Sequence, residues 1–451
     1  MNIAEVKSAY FLGIGGIGMS ALARYFKKQG AHVSGYDKTS SPLTDELCRE
    51  GISVHFDDSE MHLTKDSDLF VYTPAIPKSH PSFHRVRDLG KEWFKRSQVL
   101  QWITEQGKTL AISGTHGKTT TSAFLTHVMH EVHGKSSGFV GGVMTNYHSN
   151  LVATANSEFI VVEADEYDKS FLRLKPEIAV VTSLDPDHLD VYGTFDQMKE
   201  DYKTFGASAN HLIVHYRLKE EFPQAKTYGV EVENADYLAK HINVENGRFY
   251  FEVFFKGDSI GRFDSQLPGR HNVENALAAI SVAHQLALDS VAIAKAISSF
   301  KGVQRRFERV LDSGGVRLVD DYAHHPIEIK AAISAARELY PDTKITVVFQ
   351  PHLFSRTRDL EDDFVTSLNG ADEVILLPIY PAREEPIEGV SSNNLLKKLS
   401  LKTKLLVEKT HLGKAVLSLS PETVLVLGAG DVDRCVLPLA KTLEDWINHV
   451  E

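Results

Sequence analysis

Cysteine is almost missing from this chain: Cys48 and Cys435 are the only two, far apart and outside any CxxC pair. That excludes a disulfide framework and a thiolate metal site, and it fits a reducing compartment. A basic excess is missing too. With 60 acidic and 49 basic residues the formal net charge is −11, which argues against nucleic acid or an anionic membrane as the main partner. No apolar stretch approaches the roughly 20 residues that cross a bilayer, so no membrane insertion is expected. Glu5 precedes the first apolar run and no small-residue cleavage pattern follows it, so no signal peptide is read there. A cytoplasmic location is the expectation. What remains is an ordinary globular composition, 42% hydrophobic and 24% charged, over 451 residues, enough for two or three domains.

Short apolar runs alternate with helical patterns along the whole chain, which predicts parallel α/β sheets. In the first hundred residues, 9–14, 31–36 and 69–73 read as strands and 18–29 as a helix. A second unit starts near Gly107, with strands at 109–113, 159–163 and 178–183, a helix at 118–130, shorter strands and turns over 210–268, and helices at 272–287 and 291–300. A third starts near Gln304, with strands at 316–321, 344–349, 373–377 and 423–427 and a helix at 327–339. The expected domains are therefore 1–106, 107–303 and 304–451.

The strongest local signal is Gly114-Thr115-His116-Gly117-Lys118-Thr119-Thr120-Thr121, set between a strand and a helix. Glycines let a backbone curl so that N–H groups face phosphate oxygens, and the helix start adds partial positive charge. Lys118 can reach the terminal phosphates of ATP, and the Thr119 hydroxyl can ligand Mg2+. Ile112 stands where the full Walker pattern has its first glycine. Glu163-Ala164-Asp165-Glu166 and Asp185-Pro186-Asp187-His188-Leu189-Asp190 end the next two strands, where open sheets place ligand groups. Hard oxygens and an imidazole suit Mg2+, so Thr119, Glu163 and His188 form the candidate metal set. Near the N-terminus, Gly13-Ile14-Gly15-Gly16-Ile17-Gly18 follows a strand and opens a helix, with Asp37 ending the second strand. Alone it reads as a dinucleotide fingerprint and an NAD-dependent oxidoreductase; its mechanics serve any diphosphate, a nucleotide sugar included.

Taken in order, these segments resemble the Mur ligases over essentially the whole chain. The other matching segments are His271-Asn272-Val273-Glu274-Asn275-Ala276, Arg305-Arg306-Phe307 and Asp320-Asp321-Tyr322-Ala323-His324-His325-Pro326. The resemblance implies an N-terminal Rossmann-like UDP-binding domain, a central P-loop-type ATPase domain and a C-terminal Rossmann-like domain. Within the family, the first glycine loop followed by Met19-Ser20, and His116, look most like the alanine-adding members. That implies ATP-driven joining of L-alanine to the carboxylate of UDP-N-acetylmuramate during peptidoglycan precursor synthesis, by a monomer or weak homodimer. UDP-sugar contacts are then expected from Gly13, Gly15, Gly16, Ile17, Gly18, Met19, Ser20, Asp37, Thr73, Ala75 and Arg96. For ATP they are expected from Gly114 to Thr120, His271, Asn272, Asn275, Arg306 and Asp321. His324 and Arg356 would serve the amino acid, Arg356 as a rigid carboxylate fork and His324 as an aid to amine deprotonation. Leu353 stands where some relatives carry a second arginine. Lys199 and Lys203 read as surface lysines rather than as a metal-bridging carbamate. The rivals are a tripeptide-adding recycling ligase or another Mur-type ligase and, from a different class, the oxidoreductase.

Overall fold

The computed structural model describes residues 3–57, 63, 66–186, 192–382 and 384–450. His188 lies outside the described residues. Among those described, no helix is long and apolar enough to cross a membrane.

Three sheets form. The first holds β1 (Ser8–Leu12), β2 (His32–Tyr36), β3 (Ser53–His55), β4 (Leu69–Tyr72) and β5 (Trp93–Lys95) in the order 3-2-1-4-5, all parallel. The second holds β6 (Lys108–Ser113), β7 (Ser136–Met144), β8 (Ser149–Val152), β9 (Phe159–Glu163), β10 (Ile178–Val181), β11 (His211–His215), β12 (Lys226–Val230), β13 (Tyr237–Glu245), β14 (Arg248–Phe255) and β15 (Asp258–Ser265). Its order is 15-14-13-12-11-10-6-9-7-8. The central strand β6 lies between β10 and β9, parallel to both, so three carboxyl ends meet at one edge. Ligand groups collect there in open α/β sheets.

The third sheet holds β16 (Glu308–Ser313), β17 (Val316–Asp321), β18 (Ile345–Phe349), β19 (Glu373–Leu376), β20 (Thr403–Leu406) and β21 (Thr423–Leu427) in the order 16-17-21-18-19-20. Its strands feed two cores by simple alternation. Val347, Phe349 and Leu425 join Ile333 and Phe364 on one face, while Val348, Val424 and Val426 join Leu439 and Leu443 on the other. Continuous apolar runs are what a sheet covered on both faces requires.

The chain divides into two compact units: Met1–His241 with Phe251–Asp264 and Glu274–Lys301, and Ile242–Tyr250 with Ser265–Val273 and Gly302–Glu451. Inside the first unit the first two sheets share one apolar cluster, which runs from Phe11 and Phe26 through Phe139 to Val162 and Val181. The helix Ile17–Lys28 seats Tyr25 against Phe139, with ring centroids 5.5 Å apart. Arg24 on that helix, only 2% exposed, reaches Glu46, Glu50 and Asn150 Oδ1. Asn150, on β8, in turn donates to Ile17 O at 2.5 Å and to Ser20 Oγ at 2.9 Å. A buried amide of the second sheet thus grips the helix that begins at the first glycine loop.

Three elements differ from the sequence reading, and the first is the strand expected over 9–14, which stops at Leu12 where the glycine loop begins. The helix expected over 118–130 stops at Val128 and continues as a π-turn, Met129–His133, closed by Gly134 at φ 76°. The strand expected over 178–183 stops at Val181, because Thr182 and Ser183 turn their hydroxyls onto the phosphate loop.

Candidate active site

The loop after β6 is held from the side by the end of β10. Thr182 Oγ1 donates to His116 O at 2.5 Å, and Ser183 Oγ accepts the His116 N–H at 2.7 Å. The Thr115 hydroxyl lies 2.8 Å from that of Ser183. These bonds occupy the Thr115 and His116 N–H groups, the former on Ser183 O. The donors left for a phosphate are those of the helix start at Lys118–Thr120, which have no carbonyl one turn back. Gly117 makes the turn into that helix with φ +81°, and a Cβ there would stand 2.6 Å from Asn275 Oδ1. Asn275 is itself fixed by Thr121 Oγ1 at 3.1 Å. Ile112 is fully buried inside β6, so the loop simply begins two residues later than in the Walker pattern.

Lys118 does not point away from the loop. Its ammonium donates to Gly114 O at 2.5 Å, to Thr115 O at 3.4 Å and to Glu166 Oε1 at 2.8 Å. Burial pushes this ammonium down. The Glu166 carboxylate, its hydrogen bond, and Asp165 and Glu163 more than reverse that, so it sits above its ordinary value and stays charged. Burial raises the Glu166 carboxyl, with Lys118 pulling the other way.

Glu163, at the end of β9, accepts from Thr119 Oγ1 at 3.0 Å and from the Gly141 N–H at 2.9 Å. A hydroxyl and a carboxylate at that spacing beside a phosphate loop are hard donors that fit Mg2+. Among the described residues no group of three or more His, Cys, Asp or Glu side chains could hold a metal, and His188 is outside them.

Glu163 and Asp165 also line a cavity of about 120 Å³ that reaches the first glycine loop. Its other walls include Ile17, Gly18, Arg96, Phe139 and Gly141. Arg96 opens the helix Arg96–Thr104 and faces Asp165 at 3.5 Å. It packs so closely on Gly18 that a Cβ there would meet its Nη1 at 2.2 Å. In the same loop, Asp37 accepts the Gly15 N–H at 2.8 Å and the Gly13 N–H reaches Tyr36 O at 2.8 Å.

The second unit carries a separate cluster. Asp321 accepts from the N–H groups of Phe307 at 2.8 Å and Ala323 at 2.7 Å. Burial lifts its carboxyl to about 6 against the pull of Arg306. Burial lifts neighbouring Asp320 to about 7, with Arg305 opposing. Arg306 lies 5.2 Å over the Tyr322 ring. His324 Nδ1 is 3.0 Å from Tyr322 O; a carbonyl only accepts, so Nδ1 carries the hydrogen and Nε2 is left as the base. Burial lowers the His324 pKa, Glu328 opposes this and Arg356 adds to it. The rings of Tyr322, His324, His352 and Tyr380 form a row with centroids 5.2, 6.1 and 5.6 Å apart. Leu353, which precedes the Arg356 helix Phe354–Asp359, has φ 70° and gives its N–H to Tyr380 O.

Comparison with known proteins identifies the family. Residues 8–108 match the Mur ligase family catalytic domain, residues 112–283 the Mur ligase middle domain, and residues 305–430 the Mur ligase glutamate ligase domain. The chain belongs to the Mur ligase family. It is similar to UDP-N-acetylmuramate–L-alanine ligases of Porphyromonas gingivalis, 44% identical over 97% of this chain and 99% of that one, and of Flavobacterium psychrophilum, 44% identical over 99% and 100%. Among solved structures it resembles UDP-N-acetylmuramate-alanine ligase from Thermotoga maritima, with a TM-score of 0.84, 28% identity and coverage of 97% and 99%. A murein peptide ligase from Psychrobacter arcticus shares the fold at a TM-score of 0.69 and 21% identity.

In this Mur ligase, Lys118, Thr119, Glu163 and Asn275 gather at the phosphate loop, and Gly15, Gly18, Asp37 and Arg96 at the first glycine loop. Met19 and Ser20 are buried and exposed by no more than 1%; Ser20 Oγ donates to Ile17 O. Thr73 lies just past β4, its N–H on Leu12 O, and Ala75 is exposed beyond it. His271 and Asn272 start the helix Arg270–Gln285, with Asn272 Nδ2 on Pro268 O at 2.7 Å. His271, Asn272, Arg306, Asp321, His324 and Arg356 belong to the second unit. Lys199 lies over the Phe195 ring at 4.5 Å and Lys203 pairs with Glu200 at 2.8 Å. Sequence reading missed the partners of Lys118 and Arg96, namely Glu166 and Asp165. It also missed Ser183 and Thr182, although their place at the end of the neighbouring strand was a usable signal.

Proposed function

We propose that this Mur ligase joins L-alanine to the carboxylate of UDP-N-acetylmuramate, coupled to cleavage of ATP to ADP and phosphate with Mg2+. The observation that carries the reading is the cavity that runs from Ile17, Gly18 and Arg96 to Glu163, which holds the Thr119 hydroxyl of the phosphate loop. An acid-bearing nucleotide sugar whose diphosphate sits on the first glycine loop would extend its carboxylate along that cavity toward the triphosphate. The names and full-length identity of the bacterial relatives support the choice of acid and amine.

A carboxylate oxygen attacks the γ-phosphorus and ADP leaves, which gives an acyl phosphate. The amine nitrogen then attacks the acyl carbon, and the C–O bond breaks with phosphate as the leaving group. Lys118 and the helix start spread the charge of the transferring phosphoryl group. Mg2+, held by Thr119 and Glu163 with His188 as the expected third ligand, would neutralise phosphate oxygens. Arg356 clamps the amino-acid carboxylate. His324 Nε2 accepts the amine proton. Arg306 and Asp321 address the nucleotide, and the domains are taken as 1–106, 107–303 and 304–451.

The test is phosphate release from ATP with UDP-N-acetylmuramate and, in turn, L-alanine, glycine, L-serine and the stem tripeptide. Release is expected to depend on the acid and to be fastest with L-alanine. Release indifferent to the amine, or fastest with the tripeptide, contradicts the proposal.

A further inference from the structure

The buried carboxylate of Glu166 has no part in the reaction described above, yet among the described residues it makes the shortest ion pair at the site. Its side chain is 1% exposed and its Oε1 lies 2.8 Å from Lys118 Nζ. Its backbone is pinned: Glu166 O accepts the Tyr192 hydroxyl at 2.7 Å and the Lys169 N–H at 3.0 Å. Asp165, one residue before it, faces Arg96, and Glu163, three residues before it, faces Thr119. One short segment therefore gives each of three groups at the site its own carboxylate.

We propose that Glu166 is a positioning residue for phosphoryl transfer: it retains its ion pair with Lys118 when a nucleoside triphosphate binds, and so aims the ammonium at the γ-phosphate. The inference rests on the nucleotide reading of the phosphate loop. An ammonium has three hydrogens, and here they meet Gly114 O, Thr115 O and Glu166. A bound phosphate must displace some of them. Releasing the two carbonyls costs little, because neutral hydrogen bonds are exchanged for charge-assisted ones. Releasing Glu166 would strand an almost fully desolvated carboxylate, the more expensive loss by far. The carbonyl contacts are therefore exchanged and the ion pair stays. A lysine held this way is charged and confined before the nucleotide arrives, as electrostatic preorganisation requires.

The experiment is a double-mutant cycle on the full chain with Lys118→Ala, Glu166→Gln and both together. It is read as kcat and each KM in the phosphate-release assay, and as affinity for a fluorescent ATP analogue. Glu166→Gln keeps the shape and removes the charge. It is expected to lower kcat by about 10²-fold, leaving the KM values for the sugar acid and L-alanine within about twofold. In the Lys118→Ala background the same change is expected to have no further effect, because Glu166 acts through Lys118. Glu166→Asp, which keeps the charge, should recover part of the loss, whereas a purely structural carboxylate would depress every parameter and the melting temperature together. Additive losses, or a Glu166→Gln enzyme within about threefold of wild type, overturn the proposal. A rise in nucleotide affinity on Glu166→Gln also overturns it, since the pair would then be a latch that nucleotide must break. Wild-type protein that binds the analogue but ligates no amine sinks the ligase reading alone, and the cycle is then decided on affinity.

Discussion

His324 can take a proton from an attacking amine only while its imidazole is neutral. Burial and the nearby Arg356 charge both favour that form, against Glu328, and hold the pKa below the usual 6.5. The neutral base is therefore already present at neutral pH and is lost only as pH falls through the lowered value. At saturating alanine, the acid limb of the kcat profile is predicted to lie below 6.5 and to vanish in His324→Gln, with kcat down by about 10²-fold. A limb at or above 6.5, or one that the variant keeps, speaks against His324 as the base. At this scale the sequence was informative where chemistry needs a particular residue type in a local pattern. Lys118 and Glu163 each stand at the end of a recognisable element. The partner of Lys118 was hidden because 48 residues separate it from Glu166. Nothing local distinguishes Glu166 from the acids beside it.

Strand and helix positions were legible because buried parallel strands are short continuous apolar runs and the helices between them keep their own period. β9, β17 and β21 fall where the runs fall. The misses have local causes: hydroxyls at 182 and 183 read as strand, yet they leave the ladder to hold the phosphate loop. The contact between Asn150 and the helix Ile17–Lys28 was invisible, since an asparagine in a loop-like stretch gives no sign of a partner 126 residues away. Asn150 is fully buried and satisfies Arg24, Ile17 O and Ser20 together. Asn150→Ala would remove three buried hydrogen bonds at once, leaving Arg24 with Glu46 and Glu50 alone and Ile17 O with the Ser20 hydroxyl alone. It is predicted to cost about 2 kcal/mol in denaturant unfolding of the first unit, and a change below about 0.5 kcal/mol would show that the contact is idle.

Across the whole molecule, the order of motifs placed three α/β sheets, while the proposed roles fall on two units. Lys118, Thr119 and Glu163, proposed to handle the phosphates, lie in the first, together with the cavity beside Arg96; His324 and Arg356 lie in the second. Such a division suits a reaction in which one substrate is activated before another attacks it. The grouping of 242–250 and 265–273 with the C-terminal sheet was not legible, because compactness depends on contacts that no linear pattern carries. The central claim is that the sugar acid's own carboxylate receives the γ-phosphoryl group. It is tested most directly by supplying UDP-N-acetylmuramate with both carboxylate oxygens as 18O and weighing the phosphate released on ligation. One 18O atom per phosphate is predicted, carried over when the acyl phosphate C–O bond breaks; phosphate without label contradicts the account.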